Sequence, residues 1–376
     1  MSGSIDGWHS DAFAKDDNAM TNNKQISQAI WLTQFDMTKY YTKNGVQRPR
    51  DEYSALVADM LCRLKSDGYD SIFLQMHPNG DCMYQSDYYP VSKYVTGAYG
   101  RKLEYDPIEI FMNYASQNGI AVHAWINPYR LMTTQEVLSV DSQYAVRQWY
   151  DKSSRNVAVV DGRLYTLPSS DEALELLADF VREMLTRYDF AGLHIDDYFY
   201  PTSDADFDKY DFFDSRYTDL ADFRRCCTDK LVMTLYQTVK SVDQNLLFGV
   251  SPAGNIYSLY DGYYIDVKKW CCEDGYIDYI CPQLYFGFLN KYCPFEKVFA
   301  DWRETVGDKR LIIGLSAAKA LAGKNGQTDA FAGTEEGKNE WINDSGIIER
   351  QKALVREYGC GIALFSLGSL YNGLPD

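Results

Sequence analysis

Eight short apolar runs, each separated from the next by a helix-like stretch, restrict what this chain can fold into more than any other feature. They lie at residues 29–36 (AIWLTQFD), 71–77 (SIFLQMH), 120–126 (IAVHAWI), 190–196 (FAGLHID), 246–251 (LLFGVS), 278–285 (DYICPQLY), 311–316 (LIIGLS) and 361–367 (GIALFSL). Near-continuous apolar strands belong to sheets covered on both faces, and strands that alternate with helices belong to parallel sheets. The intervening stretches carry helix signals. Leu56, Met60, Leu61 and Leu64 share a face of a helix closed by Gly68, Asp106-Pro107 opens another, and Ser170 caps a third. Helices are likewise expected at 219–242, 267–273, 295–306 and 347–358.

With 376 residues, the expected fold is an α/β (β/α)8 barrel of the TIM type forming one domain over residues 28–376. Residues 1–27 read as a poorly ordered polar leader without an apolar signal core, and residues 129–169 and 316–340 as loop insertions. The second insertion, rich in Gly, Ala and Lys, is expected to be a mobile loop over the barrel mouth. Only residues 368–376 follow the eighth run, too few for an eighth helix; the expectation is that the leader or the first insertion covers that gap, or that a further domain has been cut away.

Barrels keep their reactive groups where strands end and loops begin. The fourth run ends in two adjacent acids, Asp196 and Asp197, followed by Tyr198, Phe199, Tyr200 and Pro201. Packing has no use for paired carboxylates there, so they are the expected catalytic groups. Three of the four histidines fall at neighbouring strand ends: His77 on the second, His123 beside Trp125 on the third, and His194 beside Asp196 on the fourth. They either bond substrate hydroxyls and orient carboxylates or, in an alternative reading, form a metal site. Asp81, Asn127, Arg130, Tyr198, Gln283 and Tyr285 complete the candidate substrate-binding set, and Asp36 closes the first run.

Composition narrows the partner. A formal charge of −16 disfavours nucleic acid and anionic membrane surfaces, and no apolar segment approaches a membrane span. Aromatic residues make up 15% of the chain, including 31 Tyr, whose faces stack on sugar rings while their hydroxyls bond sugar hydroxyls. The nine Cys show no metal-ligand or disulfide-framework spacing, which points to free thiols. No phosphate-binding loop, dinucleotide glycine motif or serine-hydrolase elbow occurs, so no cofactor is expected.

The stretches AIWLT, LQMHPNGDCMYQSDYYP, HAWINPYR, GLHIDDYFYP, FGVSPAGN and YICPQLYFGF, in this order, resemble the glycosyl hydrolase-like 10 family of bacterial (β/α)8 proteins. The resemblance implies a glycosidase acting on polysaccharide, denuded peptidoglycan glycan strands foremost, in the cell envelope or secreted. It is also similar to N-acetylhexosaminide hydrolases with paired acids at the end of strand four. There the substrate's own acetamido oxygen is the nucleophile, one acid polarises it, and its neighbour is acid and base. Like charges side by side keep one of two such acids protonated near neutral pH. The expectation is Asp197 as acid and base, with Asp196 as orienter or nucleophile, the two roles being interchangeable. Two alternatives stand beside it: a glycan-binding barrel without catalysis, and a metal-dependent polysaccharide deacetylase or hydrolase using His77, His123 and His194.

Overall fold

The computed structural model describes residues 26–196, 200, 219–371 and 374–375. The leader, Asp197 and Tyr198 therefore lie outside the described residues, apart from the leader's last two positions. Eight parallel strands close into a barrel: β1 (Gln28–Leu32), β2 (Ser71–His77), β3 (Ala121–Ile126), β4 (Gly192–Asp196), β5 (Leu247–Ser251), β6 (Tyr279–Ile280), β7 (Arg310–Ser316) and β8 (Gly361–Phe365). Each strand pairs with its neighbours in sequence, and β1 closes the ring against both β8 and β2.

Side chains alternate along each strand, and that alternation divides the core. Ile30, Leu32, Ile72, Leu74, Leu193 and Ile195 point outward into the large apolar layer beneath the helices. Ala29, Trp31, Phe73, Trp125, Tyr279, Ile312 and Ala363 point inward and fill the barrel. Gly249 is required by this filling. A Cβ there would lie 2.1 Å from the Tyr279 ring, far inside contact distance.

Several sequence expectations are corrected. The first strand stops at Leu32 because Thr33-Gln34-Phe35-Asp36 is a capping box opening the helix Gln34–Tyr41. Thr33 Oγ1 accepts from the Asp36 amide and Asp36 Oδ2 from the Thr33 amide, each at 3.1 Å. Asp36 is thus a cap. The sixth strand shrinks to two residues because Pro282 has no N–H for the ladder, although Gln283 still bridges to Ala253 and Gly314.

The two insertions are structured. Residues 129–169 contain an antiparallel three-stranded sheet of Arg130–Thr133, Val157–Val160 and Arg163–Thr166, packed over its own core of Leu131, Met132, Val137, Val146 and Leu164. Residues 316–340 hold one helix, Ala317–Lys324, and most of a second, Glu335–Asn343, rather than a mobile loop. Buried Glu340 accepts from the Phe288 and Leu289 amides at 2.9 Å each, and Lys319 pairs with Asp329 at 2.5 Å. After β8, the helix Leu367–Leu370 and Tyr371 turn back over the barrel flank. Tyr371 Oη donates to Asp67 at 2.6 Å and its ring lies 4.0 Å from the Arg63 guanidinium. Residues 367–371, not the 129–169 insertion, pack there.

Candidate active site

Asp196 ends β4 on the inward-facing side and is 5% exposed at the base of a cavity of about 400 Å³. Two neutral donors converge on its Oδ1: Trp125 Nε1 at 2.5 Å and Asn127 Nδ2 at 2.7 Å. The indole N–H can only donate. Asn127 is fixed in turn, because its Oδ1 accepts from Gln75 Nε2 at 2.7 Å and Gln75 Oε1 accepts from the Gln34 amide at 2.7 Å. This chain leaves each amide one orientation. It runs from the start of the first helix through β2 and the end of β3 to the carboxylate, so three βα units position Asp196.

Beneath it lies an aromatic floor. His194 stacks on Phe73 with centroids 3.9 Å apart, receives Trp31 Nε1–H on Nε2 at 3.3 Å, and meets Tyr279 Oη through Nδ1 at 3.0 Å. Burial first, then the neighbouring His123, holds the His194 pKa well below its ordinary value. The ring is therefore neutral. Since Nε2 accepts, Nδ1 carries the proton and donates to Tyr279. His123 is buried beside it, edge-on to Phe73 and Tyr279.

The cavity is lined by Trp125, Arg130, Gln283 and Tyr285 of the candidate substrate-binding set, together with Asp196. Gln283 is braced by bonds to Ser251 O and Oγ, each at 3.3 Å. Asn127, His123 and His194 are buried and do not form part of the cavity lining.

His77 and Asp81 need stronger correction. The register of β2 against β3 slips between Gln75 and His77, so His77 pairs with outward-facing Ile126 instead of following Phe73 and Gln75 inward. Its ring packs between Tyr89 and Phe180 in the strand–helix layer, with centroids 4.4 Å and 5.0 Å away. The metal alternative thus divides its three histidines between the two faces of the sheet. Asp81 is fully buried and closes the Asn79-Gly80-Asp81 turn, accepting from the Asn79 amide at 3.0 Å and Tyr99 Oη at 2.9 Å. Gly80 serves that turn: its φ is +69°, and a Cβ would sit 2.5 Å from Leu131.

Burial lowers the His77 pKa to about 3, against the weaker, opposing effect of the Asp81 backbone. As pH falls below about 6.5, the unfolded chain takes up a proton that the folded chain refuses. Stability then declines with acidification until pH nears 3. His77→Phe is expected to lose about 2 kcal/mol less than the parent between pH 6.5 and 4.5, measured by urea unfolding. Equal losses would place that imidazole in water.

Asn79, which with Gly80 and Asp81 follows the second strand as a rim candidate, also lines the cavity; Thr33, Gln34, Phe35, Gln75, Tyr94, Arg163, Tyr165 and Phe365 line it as well and are not among the candidates the sequence marks. Arg163 and Tyr165 had a readable signal. Val157-Ala-Val-Val-Asp-Gly-Arg-Leu-Tyr-Thr166 is a hairpin pattern, with Asp161 and Gly162 at φ +50° and +76° as a two-residue type I′ turn requires.

A closed ring of eight parallel strands with helices around it is the TIM-barrel fold. The glycoside hydrolase domain of PgaB (BpsB) from Bordetella bronchiseptica shares this fold, with a TM-score of 0.59 over 92% of this chain and 95% of that one at 12% identity. This chain belongs to the glycosyl hydrolase-like 10 family, whose model matches residues 27–329. Glycosyl hydrolase DigH of Escherichia coli K12 is 27% identical over 367 residues, covering 88% of this chain and 80% of that protein. Glycosyl hydrolase YngK of Bacillus subtilis 168 is 28% identical over 321 residues, covering 78% of this chain and 61% of that protein. Among the described residues no helix is long and apolar enough to cross a membrane, and no three His, Cys, Asp or Glu side chains are grouped to hold a metal.

Proposed function

We propose that this protein is a glycoside hydrolase acting on N-acetylated polysaccharide, foremost the glycan strands of peptidoglycan freed of peptide, with Asp196 and Asp197 as its catalytic carboxylates. The observation that carries this reading is the fixed Asp196 carboxylate at the cavity base, with Oδ1 held by Trp125 and Asn127. An acid positioned by rigid donors suits an orienting role toward a substrate group. Tyr94, Tyr165, Tyr285 and Phe365 around it offer faces for sugar rings.

In the proposed reaction Asp197 gives its proton to the glycosidic oxygen as the bond to the anomeric carbon breaks. The acetamido carbonyl oxygen of the same sugar closes onto that carbon, and Asp196 holds the acetamido group and balances its developing positive charge. Water then opens the ring intermediate, losing its proton to Asp197, and the anomeric configuration is retained. Substrate assistance makes the acetamido group indispensable. Strands whose cleaved sugar has been N-deacetylated are expected to be cut at least a hundredfold more slowly, read as products by mass. Undiminished cleavage of deacetylated strands, with a glycosyl adduct on Asp196, would instead make that carboxylate the direct nucleophile.

A further inference from the structure

Resting on that reading, we propose that Arg163 reads a carboxylate on the substrate, so that the preferred polymer bears a free acid group on a sugar beside the cleaved bond. Arg163 begins the inner strand of the insertion sheet. Leu164 points into the insertion's own core, while Arg163 and Tyr165, two residues apart, share the other face and line the cavity that holds Asp196.

The guanidinium is held but not neutralised. One nitrogen, Nη1, makes both of its bonds, to Leu131 O at 2.6 Å and to Asn79 Oδ1 at 3.1 Å, and both acceptors are uncharged. Among the described residues no carboxylate forms an ion pair with it. Several other arginines do have an acid partner, as in Arg48 with Glu52, Arg147 with Asp151, Arg187 with Asp106 and Arg350 with Asp344, whereas the two acceptors of Arg163 are a carbonyl and a side-chain amide. What distinguishes Arg163 is its place: its charge lines the cavity that holds Asp196 and meets no acid there among the described residues except across that cavity. With Nη1 occupied, Nε and Nη2 keep three coplanar N–H donors for a planar acceptor, and a carboxylate fits that fork where a sugar hydroxyl does not. The overall charge of −16 repels an acidic polymer, so recognising one requires a local cation of this kind.

The chemistry identifies the ligand group. An N-acetylated sugar carrying a carboxylic acid ether presents a free carboxylate once the peptide amide-linked to that acid is gone. With the peptide in place, the same carbonyl is a neutral, bulkier amide. Arg163 therefore favours peptide-free strands over peptide-bearing ones.

The test compares peptide-free strand fragments with the same fragments after reduction of the carboxyl to an alcohol. The wild-type protein is expected to favour the acid form by about ten- to a hundredfold in kcat/KM, the range of a hydrogen-bonded charge pair. The preference should lie in KM and shrink as salt is raised. In Arg163→Gln the acid-to-alcohol ratio is expected to fall at least tenfold, and Arg163→Lys is expected to keep part of it. Equal handling of both fragments by the wild type overturns the proposal, even if Arg163→Gln loosens the insertion sheet. A folded Arg163→Gln with the parental ratio overturns it as well. If no polymer is cut, the hydrolase reading fails, and calorimetry with the same fragments decides separately: tighter binding of the acid form by wild type but not by Arg163→Gln upholds the arginine's role, and equal binding removes it.

Discussion

Asp196→Asn is expected to slow hydrolysis of peptide-free glycan strands by about 10²–10⁴-fold, the span attributed to a positioned acid or base, with little change in thermal stability. Asparagine has the same shape, and its carbonyl oxygen can still accept from Trp125 Nε1 and Asn127 Nδ2. What disappears is negative charge at the cavity base, and in its place an amide N–H₂ faces the substrate. Asp197→Asn is expected to fall as far, for a different reason: the leaving oxygen loses its proton donor. The two variants are separable. Aryl glycosides whose leaving group needs no proton should recover much of their rate with Asp197→Asn and little with Asp196→Asn. Full activity of either variant on glycan strands would remove that carboxylate from the mechanism.

The second large effect concerns the floor. Phe73→Ala is expected to cost about 3–5 kcal/mol, the range for deleting a fully buried aromatic ring. Phe73 lies inside the barrel, 3.9 Å from the His194 ring and 5.2 Å from Trp31, where no helix can move in to fill the space. Loss of the stack frees the His194 imidazole, which engages Trp31 and Tyr279 below the end of β4 that carries Asp196. Urea unfolding measures the cost. A loss below 1 kcal/mol would mean that the interior relaxes around the missing ring.

The architecture was legible because its signals are local and repeated. Each barrel strand is a mainly apolar run, and caps such as Ser170 and Asp219 sit where the helices begin. The misreadings share a cause, since each depended on something that strand alternation alone does not encode. His77 looked inward by counting residues, yet a one-residue slip against β3 turned it out. Asp36 looked like a strand-end acid, yet three residues earlier Thr33 had already begun a helix. Asn127 stands out as a polar group just after the third strand, but its dependence on Gln75 and Gln34 is a contact across 41 and 52 residues that no spacing announces. Arg163 and Tyr165 reach the cavity only because the hairpin bearing them folds over the mouth, a tertiary placement.

The most direct test of the central claim is mass analysis of peptide-free peptidoglycan strands incubated with the wild-type protein and with Asp196→Asn. Hydrolysis predicts shorter fragments from the wild type, each cut adding one water and leaving every acetyl group in place, and intact strands from the variant. Strands that bind but emerge at their original length, or that lose acetyl groups without being shortened, would contradict it.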